Sequence, residues 1–382
     1  MAVFAEGQSC FSLQRKSQFT RNAAPVLASG FPTGDERGSG LFELLICRRH
    51  FCEKIMIEHL PRLRPASGEN KKSPLAKRAS LSNHTNTLLM ELKSYLATKR
   101  DAVERALDSS LPRETEMPVT IHKAMRYSLF AGGKRLRPIL CLAASEAICG
   151  ADKPAMPLAC ALELIHTYSL VHDDLPCMDD DDLRRGRPTC HKVFGEGVAV
   201  LAGDALLTQA FEVAAQTKPS ATFTTAEMLF ELARASGSLW LIAGQVMDLE
   251  GEGKPVNAEQ LRAIHERKTA ALLGASVRLG AMAGGATKEQ LSAMAKFGHS
   301  IGLAFQIIDD ILDVTSTEEE MGKSVRADAK HDKATYPKIL GLEKSRVEAK
   351  RLTDEALAAL KMFDAKAEPL RQIASYMLAR TN

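Results

Sequence analysis

From about residue 86 to the C terminus, long stretches rich in Ala, Leu, Glu and Lys alternate with short Gly/Pro breaks, and β-branched runs are few. Apolar residues recur at helical rather than alternating spacing, which argues against a sheet and for packed amphipathic helices. Segments 159–172, 198–215, 226–242, 258–280, 288–314 and 345–360 all read as helices, as does 122–130. No repeat period or heptad seam is present. The expected fold is all-α: a single large helical bundle around a central cavity.

Two aspartate clusters sit at the ends of apolar helical segments: Asp173-Asp174-Leu-Pro-Cys-Met-Asp179-Asp180-Asp181-Asp182 and Asp309-Asp310-Ile-Leu-Asp313. Gathering so many carboxylates is unfavourable unless cations neutralise them. Hard oxygen ligands suit Mg2+, which binds through a few carboxylates together with substrate phosphates. Gln306, Asp309, Asp310 and Asp313 fall at i, i+3, i+4 and i+7 and share one helix face. His166 and Asp173 are seven apart and also share a face. Asp173 and Asp179 are six apart and do not on a straight helix. Pro176 lies between them and is expected to break the helix and turn Asp179 back toward Asp173.

Basic motifs match the acidic ones. Gly132-Gly133-Lys134-Arg135-Leu136-Arg137-Pro138 offers two glycines to turn the chain and three cations for an anion, and Arg184-Arg185-Gly186-Arg187-Pro188 follows the first aspartate run. Arginine's planar fork fits phosphate oxygens, whereas lysine acts as a point charge. Lys268-Thr269 and Gly322-Lys323-Ser324 add further cations. GGKRLRP is not a nucleotide P-loop, because GxxxxGK[ST] does not occur there.

The strings GGKRLRP, IHTYSLVHDDLPCMDDDDLRRGRPTCH, FGEGVAVLAGDALL, GQVMDLE, ERKTAALL, GLAFQIIDDILDV and DKATYPKILGLEKSR resemble the motifs of all-trans (E-type) short-chain prenyl diphosphate synthases, with bacterial-type farnesyl diphosphate synthase the nearest match. The resemblance covers about residues 86–382, in family order. It implies the isoprenoid-synthase fold, a homodimer, prenyl diphosphate substrates and three Mg2+ ions. It places those ions on Asp173, Asp179, Asp309 and Asp313, and isopentenyl diphosphate on Lys134, Arg137, His166 and Arg185. Arg184, Lys268, Thr269, Gln306 and Lys323 would contact the allylic diphosphate, with Lys268, Thr269 and Gln306 catalytic. The roles of Gln245 and Asp248 stay open.

The implied reaction joins isopentenyl diphosphate to dimethylallyl and geranyl diphosphates, giving farnesyl diphosphate by ionisation, condensation and elimination. Tyr168, five residues before Asp173, would floor the cavity at fifteen carbons; neighbouring Ser169 is too small to do so. The alternative product is geranylgeranyl diphosphate. A terpene cyclase fits less well, because 14 Phe, 5 Tyr and 1 Trp leave little aromatic lining for carbocations. A catalytically inactive partner subunit should have lost an acidic motif, and both are intact.

The net charge of +3, with signs interspersed, gives no basic patch for nucleic acid. Eight scattered cysteines without a CxxC pair read as reduced intracellular thiols. No apolar run of transmembrane length is expected. Residues 1–85 carry Gly, Pro, Ser, Arg and Lys clusters that match nothing in the family. They read as a disordered or mis-assigned extension, with Met56 and Met90 as candidate starts. The expected location is therefore cytoplasmic, the alternative being organellar if the serine-bearing basic stretch 1–34 is a transit peptide.

Overall fold

The computed structural model describes residues 75–315 and 334–379, with side chains from residue 90 onward, all within one unit, Gly68–Asn382. Lys323 and its Gly-Lys-Ser motif lie outside the described residues, as do residues 1–74. In chain order the helices are α1 (Leu75–Ser110), α2 (Val119–Leu129), α3 (Leu136–Cys149), α4 (Met156–Asp173), α5 (Cys190–Phe194), α6 (Glu196–Ala214), α7 (Thr225–Ser236) and α8 (Leu241–Gly251). They continue as α9 (Ala258–His265), α10 (Ala271–Ala283), α11 (Lys288–Thr315), α12 (Tyr336–Leu340), α13 (Leu342–Ala359) and α14 (Glu368–Ala379). The all-helical expectation is met.

The core is two apolar layers that share helices. One gathers side chains of α2, α4, α6 and α7; the other gathers those of α11, α13 and α14. Helices α3 and α10 face both: Cys141, Leu142, Leu272 and Leu279 point one way, Ile139, Leu140, Leu273 and Val277 the other. A helix buried on two sides has no polar face to keep, which is why α10 is buried from Leu272 through Ala283 with only Arg278 reaching out.

Two expected helices are divided. The 226–242 stretch starts with a Thr224/Glu227 capping box but stops at Ser236, and α8 begins at Leu241. Gly237 ends the first piece, its N–H bonding back to the Arg234 carbonyl. The 258–280 stretch keeps its course but widens into a π-helical turn over Glu266–Ala270. The Arg-rich motif was not read as a strand, yet Leu183–Arg184 and Arg187–Pro188 pair as a minimal antiparallel hairpin. Its two central residues, Arg185 (φ 56°) and Gly186 (φ 74°), are both left-handed, as a type I′ turn requires.

The expectation that no segment reaches transmembrane length needs correction. By length and composition, α6 is apolar enough to cross a bilayer, with a mean hydropathy of 1.3. Its apolarity has a core explanation: Ala199, Ala202, Leu206, Ala210 and Val213 pack into the layer that holds α4.

Candidate active site

The first aspartate motif begins where α4 ends. Leu175 N–H and Met178 N–H close tight turns around Pro176, and Asp179 N–H donates to the Asp173 carbonyl at 2.9 Å. The chain therefore doubles back, and the two acids become electrostatic neighbours. Burial first, then Asp179 and Asp174, raise the Asp173 carboxyl to about 6, against an opposing pull from Lys268 and Arg184. Asp174 is buried differently. Its carboxylate accepts from Arg184 Nε at 2.9 Å and from Nη2, and Arg184 also reaches Asp181 at 3.1 Å. Arg184 thus braces the acidic loop from inside. Asp180, Asp182 and His191 also bring ligand-type atoms within 4.8 Å of one another, with Lys192 already paired to Asp182 at 2.7 Å.

Within reach of Asp173's charge, Lys268 meets Asp248 of the GQVMDLE motif at 2.6 Å. Lys268 rides the π turn, a geometry that recurs at functional positions because it redirects one side chain out of helical register. Helix α8 approaches so closely that a Cβ on Gly244 would lie 2.1 Å from the Lys268 backbone nitrogen, so only glycine fits. Asp248, whose role the sequence left open, is therefore the acid that aims Lys268.

A hydrogen-bonded chain then links the π turn to the second aspartate motif. Thr269 Oγ1 donates to Gln306 Oε1 at 2.7 Å, and Gln306 Nε2 donates to Asp310 Oδ1 at 3.1 Å. Asp310, only 2 % exposed, also accepts the Tyr336 N–H at 2.9 Å, and the Tyr336 ring stacks on His265 at 5.4 Å. The middle acid of DDILD is thus committed to holding α11 and α12 together. Asp309 is half-buried and Asp313 buried on the same helix.

The basic motif splits by role. Arg135 does not offer its charge to a ligand, as the sequence suggested for all three cations. It sits in a left-handed turn (φ 51°) with its guanidinium fully enclosed, donating to Glu104 and Glu163 at 2.7 Å each and to the Leu129 carbonyl at 2.7 Å. This anchor fixes the loop, and Lys134 stays exposed. Arg137 points elsewhere: its Nε is buried without a hydrogen-bond partner. Arg185 lies against Gly133, where an added Cβ would fall 2.6 Å from Nη1. Two motifs fifty residues apart in the chain therefore meet at one point.

His166 lies among these cations. Burial, then Arg137, Arg185, Arg135 and Arg184, hold its imidazole well below the usual range, so it is neutral at pH 7. Burial likewise lowers Arg137 and Arg185, which Glu163 partly offsets. Arg137 also senses Asp309, tying this basic half to the second aspartate motif. The site is two-sided: carboxylates with Lys268 on one side, guanidiniums and a neutral imidazole on the other.

Residues 118–376 match the signature of the Polyprenyl synthetase family. The chain belongs to that family. Among members with curated descriptions, it is 54% identical over 296 residues to the chloroplastic geranylgeranyl pyrophosphate synthase of Catharanthus roseus, covering 76% of this chain and 82% of that one. It is 52% identical over 299 residues to the chloroplastic heterodimeric geranylgeranyl pyrophosphate synthase large subunit 1 of Arabidopsis thaliana, covering 76% and 80%. A solved FPP/GFPP synthase of Zymomonas mobilis superposes with a TM-score of 0.67 at 38% identity, covering 76% of this chain and 99% of that one. As a polyprenyl synthetase the protein is a prenyltransferase of isoprenoid biosynthesis. The expectation of a cytoplasmic enzyme is overturned by these relatives, both named as chloroplastic.

Proposed function

We propose that this polyprenyl synthetase is a Mg2+-dependent enzyme that adds isopentenyl diphosphate to allylic diphosphates and stops at geranylgeranyl diphosphate, twenty carbons. The observation that carries the reaction is the two-sidedness of the site. The allylic partner must lose its diphosphate, so it belongs where cations and metal can absorb the developing negative charge. The homoallylic partner must keep its diphosphate, so it belongs in the metal-free clamp of Arg137, Arg185, His166 and Lys134.

The donor set fits Mg2+. Asp173 and Asp179 offer only oxygen and adjoin across a tight turn, and burial, with Asp179 and Asp174 nearby, raises the Asp173 carboxyl, so a bound cation would favour its ionised form. Asp309 and Asp313 would add ligands from α11. When bound, the metal supplies Lewis-acid stabilisation of the leaving diphosphate. Lys268, aimed by Asp248, adds a point charge there, with Arg184 beside the acidic loop and Lys323 proposed as a further cation. Gln306 is held by Asp310, whose carboxylate takes its amide N–H, so the amide oxygen faces Thr269 and receives its proton. Thr269 then presents lone pairs, suited to a cationic carbon and to the proton lost in elimination.

Twenty carbons are supported by the names of the plant relatives at 52% and 54% identity. Fifteen is the second reading, favoured by Tyr168. It is buried on α4, edge-on to His172 at 5.8 Å, and His172 in turn contacts the Val200 carbonyl of α6 at 3.0 Å. Ser169 turns back to the His166 carbonyl at 2.9 Å. A chloroplast location follows the same relatives, with the segment before the matched region as its targeting sequence. Self-association as a homodimer is supported by apolar side chains left exposed on α6, α7 and α8: Leu201, Phe230, Ile242 and Val246. The test is incubation with dimethylallyl and labelled isopentenyl diphosphates plus Mg2+, followed by product sizing. A C20 product supports the reading, C15 favours the second, and no product returns the inactive-subunit alternative.

A further inference from the structure

Glu163 is the buried carboxylate beneath the basic half of the site. It lies on α4, three residues before His166, and is 2 % exposed. Arg135 Nη1 donates to it at 2.7 Å, and both Arg137 and Arg185 feel its charge. Three guanidiniums thus draw on one fully desolvated acid. The other acids near them are further out or otherwise engaged: Glu104, half-buried, takes Arg135 from the α1 side, Asp174 is held by Arg184, and Asp309 belongs to the metal half. His166 is neutral and adds no further positive charge. Left without Glu163, the enclosed Arg135 and the half-buried Arg137 would keep like charges where water screens poorly, with the more exposed Arg185 adding to them, at a cost that grows as the dielectric falls.

Elongation imposes a second demand on this pocket. The new product carries the diphosphate that arrived with isopentenyl, and another round requires that same diphosphate to leave the clamp and reach the metal half. A clamp of unopposed arginines would bind it too well to release it. We propose that Glu163 is the standing counter-ion of the homoallylic pocket. It holds Arg135, Arg137 and Arg185 together when no substrate is bound and limits diphosphate affinity so that the product can move on. The proposal rests on the assignment of the homoallylic diphosphate to this clamp.

The test is calorimetric binding of isopentenyl diphosphate to the full-length protein in EDTA, where only the metal-free clamp is read. Glu163→Gln keeps the shape and can still accept from Arg135, but loses the charge. It should bind about tenfold tighter or more, while its ligand-free form melts lower and regains most of the loss on adding inorganic diphosphate. With Mg2+ and both substrates, its products should shift toward shorter chains. Glu163→Asp, which keeps the charge at greater distance, should gain about two- to threefold. Opposite changes in affinity and stability are the signature, because a mere structural bracket would lower both. Unchanged or weaker binding by folded Glu163→Gln overturns the proposal. If Glu163→Gln does not fold, absence of any gain in Glu163→Asp does the same. Arg137→Gln serves as the control: if it binds as tightly as wild type, the pocket assignment fails and the proposal with it, an outcome distinct from failure of the counter-ion role in a pocket that Arg137 does serve.

Discussion

The Asp179 N–H donates to the Asp173 carbonyl at 2.9 Å, so a chain leaving α4 returns within six residues and sets its fourth-from-last acid beside the helix's final one. Side chains that diverge on a regular helix are brought together by this loop, with Pro176 at its head. The consequence is an electrostatic coupling between two carboxylates that Lys268 and Arg184 offset in part and a bound cation would relieve further.

Asp173→Ala should therefore lower turnover by about a thousandfold or more while leaving the fold intact, since the metal's role in the rate is large. Steady-state kinetics alongside circular dichroism check this. Near-normal turnover would remove Asp173 from the site.

The raised Asp173 carboxyl also has a stability sign. In metal-free protein the folded state keeps this proton up to about pH 6, whereas the unfolded chain loses it near the ordinary value of 3.8. Between those values the folded state binds more protons, so this group lowers stability as pH rises through the window. His166 and His265, both depressed mainly by burial, act oppositely, because the unfolded chain protonates them first. Comparison with Asp173→Asn isolates the acid. In EDTA the variant should gain stability over wild type between pH 4 and 6, by at most about 3 kcal/mol, and Mg2+ should shrink the difference. A flat difference across that range would contradict the assignment.

The two halves of the site should separate kinetically. Arg137→Ala or Arg185→Ala should raise the KM for isopentenyl diphosphate by about 10- to 100-fold, the scale of a charged hydrogen bond, with less effect on the allylic substrate. Lys268→Ala should do the reverse, and Asp248→Asn should follow it more weakly. Equal effects on both substrates from all four variants would contradict the division.

Asp310 joins Gln306 to the Tyr336 backbone, so Asp310→Ala leaves a buried N–H without a partner and frees the Gln306 amide. It should cost about 2–3 kcal/mol of stability and lower kcat as well. Denaturant unfolding gives the first quantity. An undiminished midpoint would mean the contact is dispensable.

Tyr168→Ala should lengthen the product if the ring floors the cavity, because a close-packed wall resists even one added methylene. Lengthening from fifteen to twenty carbons would establish the farnesyl reading for the wild type. If wild type already makes twenty carbons and the variant does not lengthen them, Tyr168 is a core residue packed on His172.

Much of this was written in the chain. Helical spacing alone put Gln306, Asp309, Asp310 and Asp313 on one face of α11, and marked the stretches that became α4 and α10 as helices. Pro176 announced the break that turns Asp179 back. The family resemblance named Arg137 and Asp309 rather than their neighbours, but residue type and spacing give no physical reason for the division of work. Arg135 and Arg137 look interchangeable in GGKRLRP, yet a left-handed turn at Arg135 sends one into Glu104 and Glu163 and leaves the other with a buried, unpartnered Nε. Asp309 and Asp310 are adjacent, but α12 supplies the N–H that engages only the second. Glu163 carried no motif signal and Asp248, though within GQVMDLE, no role, because their meaning comes from arginines and a lysine distant in the chain. Local periodicity fixes which face a side chain occupies. Its partner, and so its charge environment, depends on which helices pack against that face, and those contacts are set by the fold as a whole.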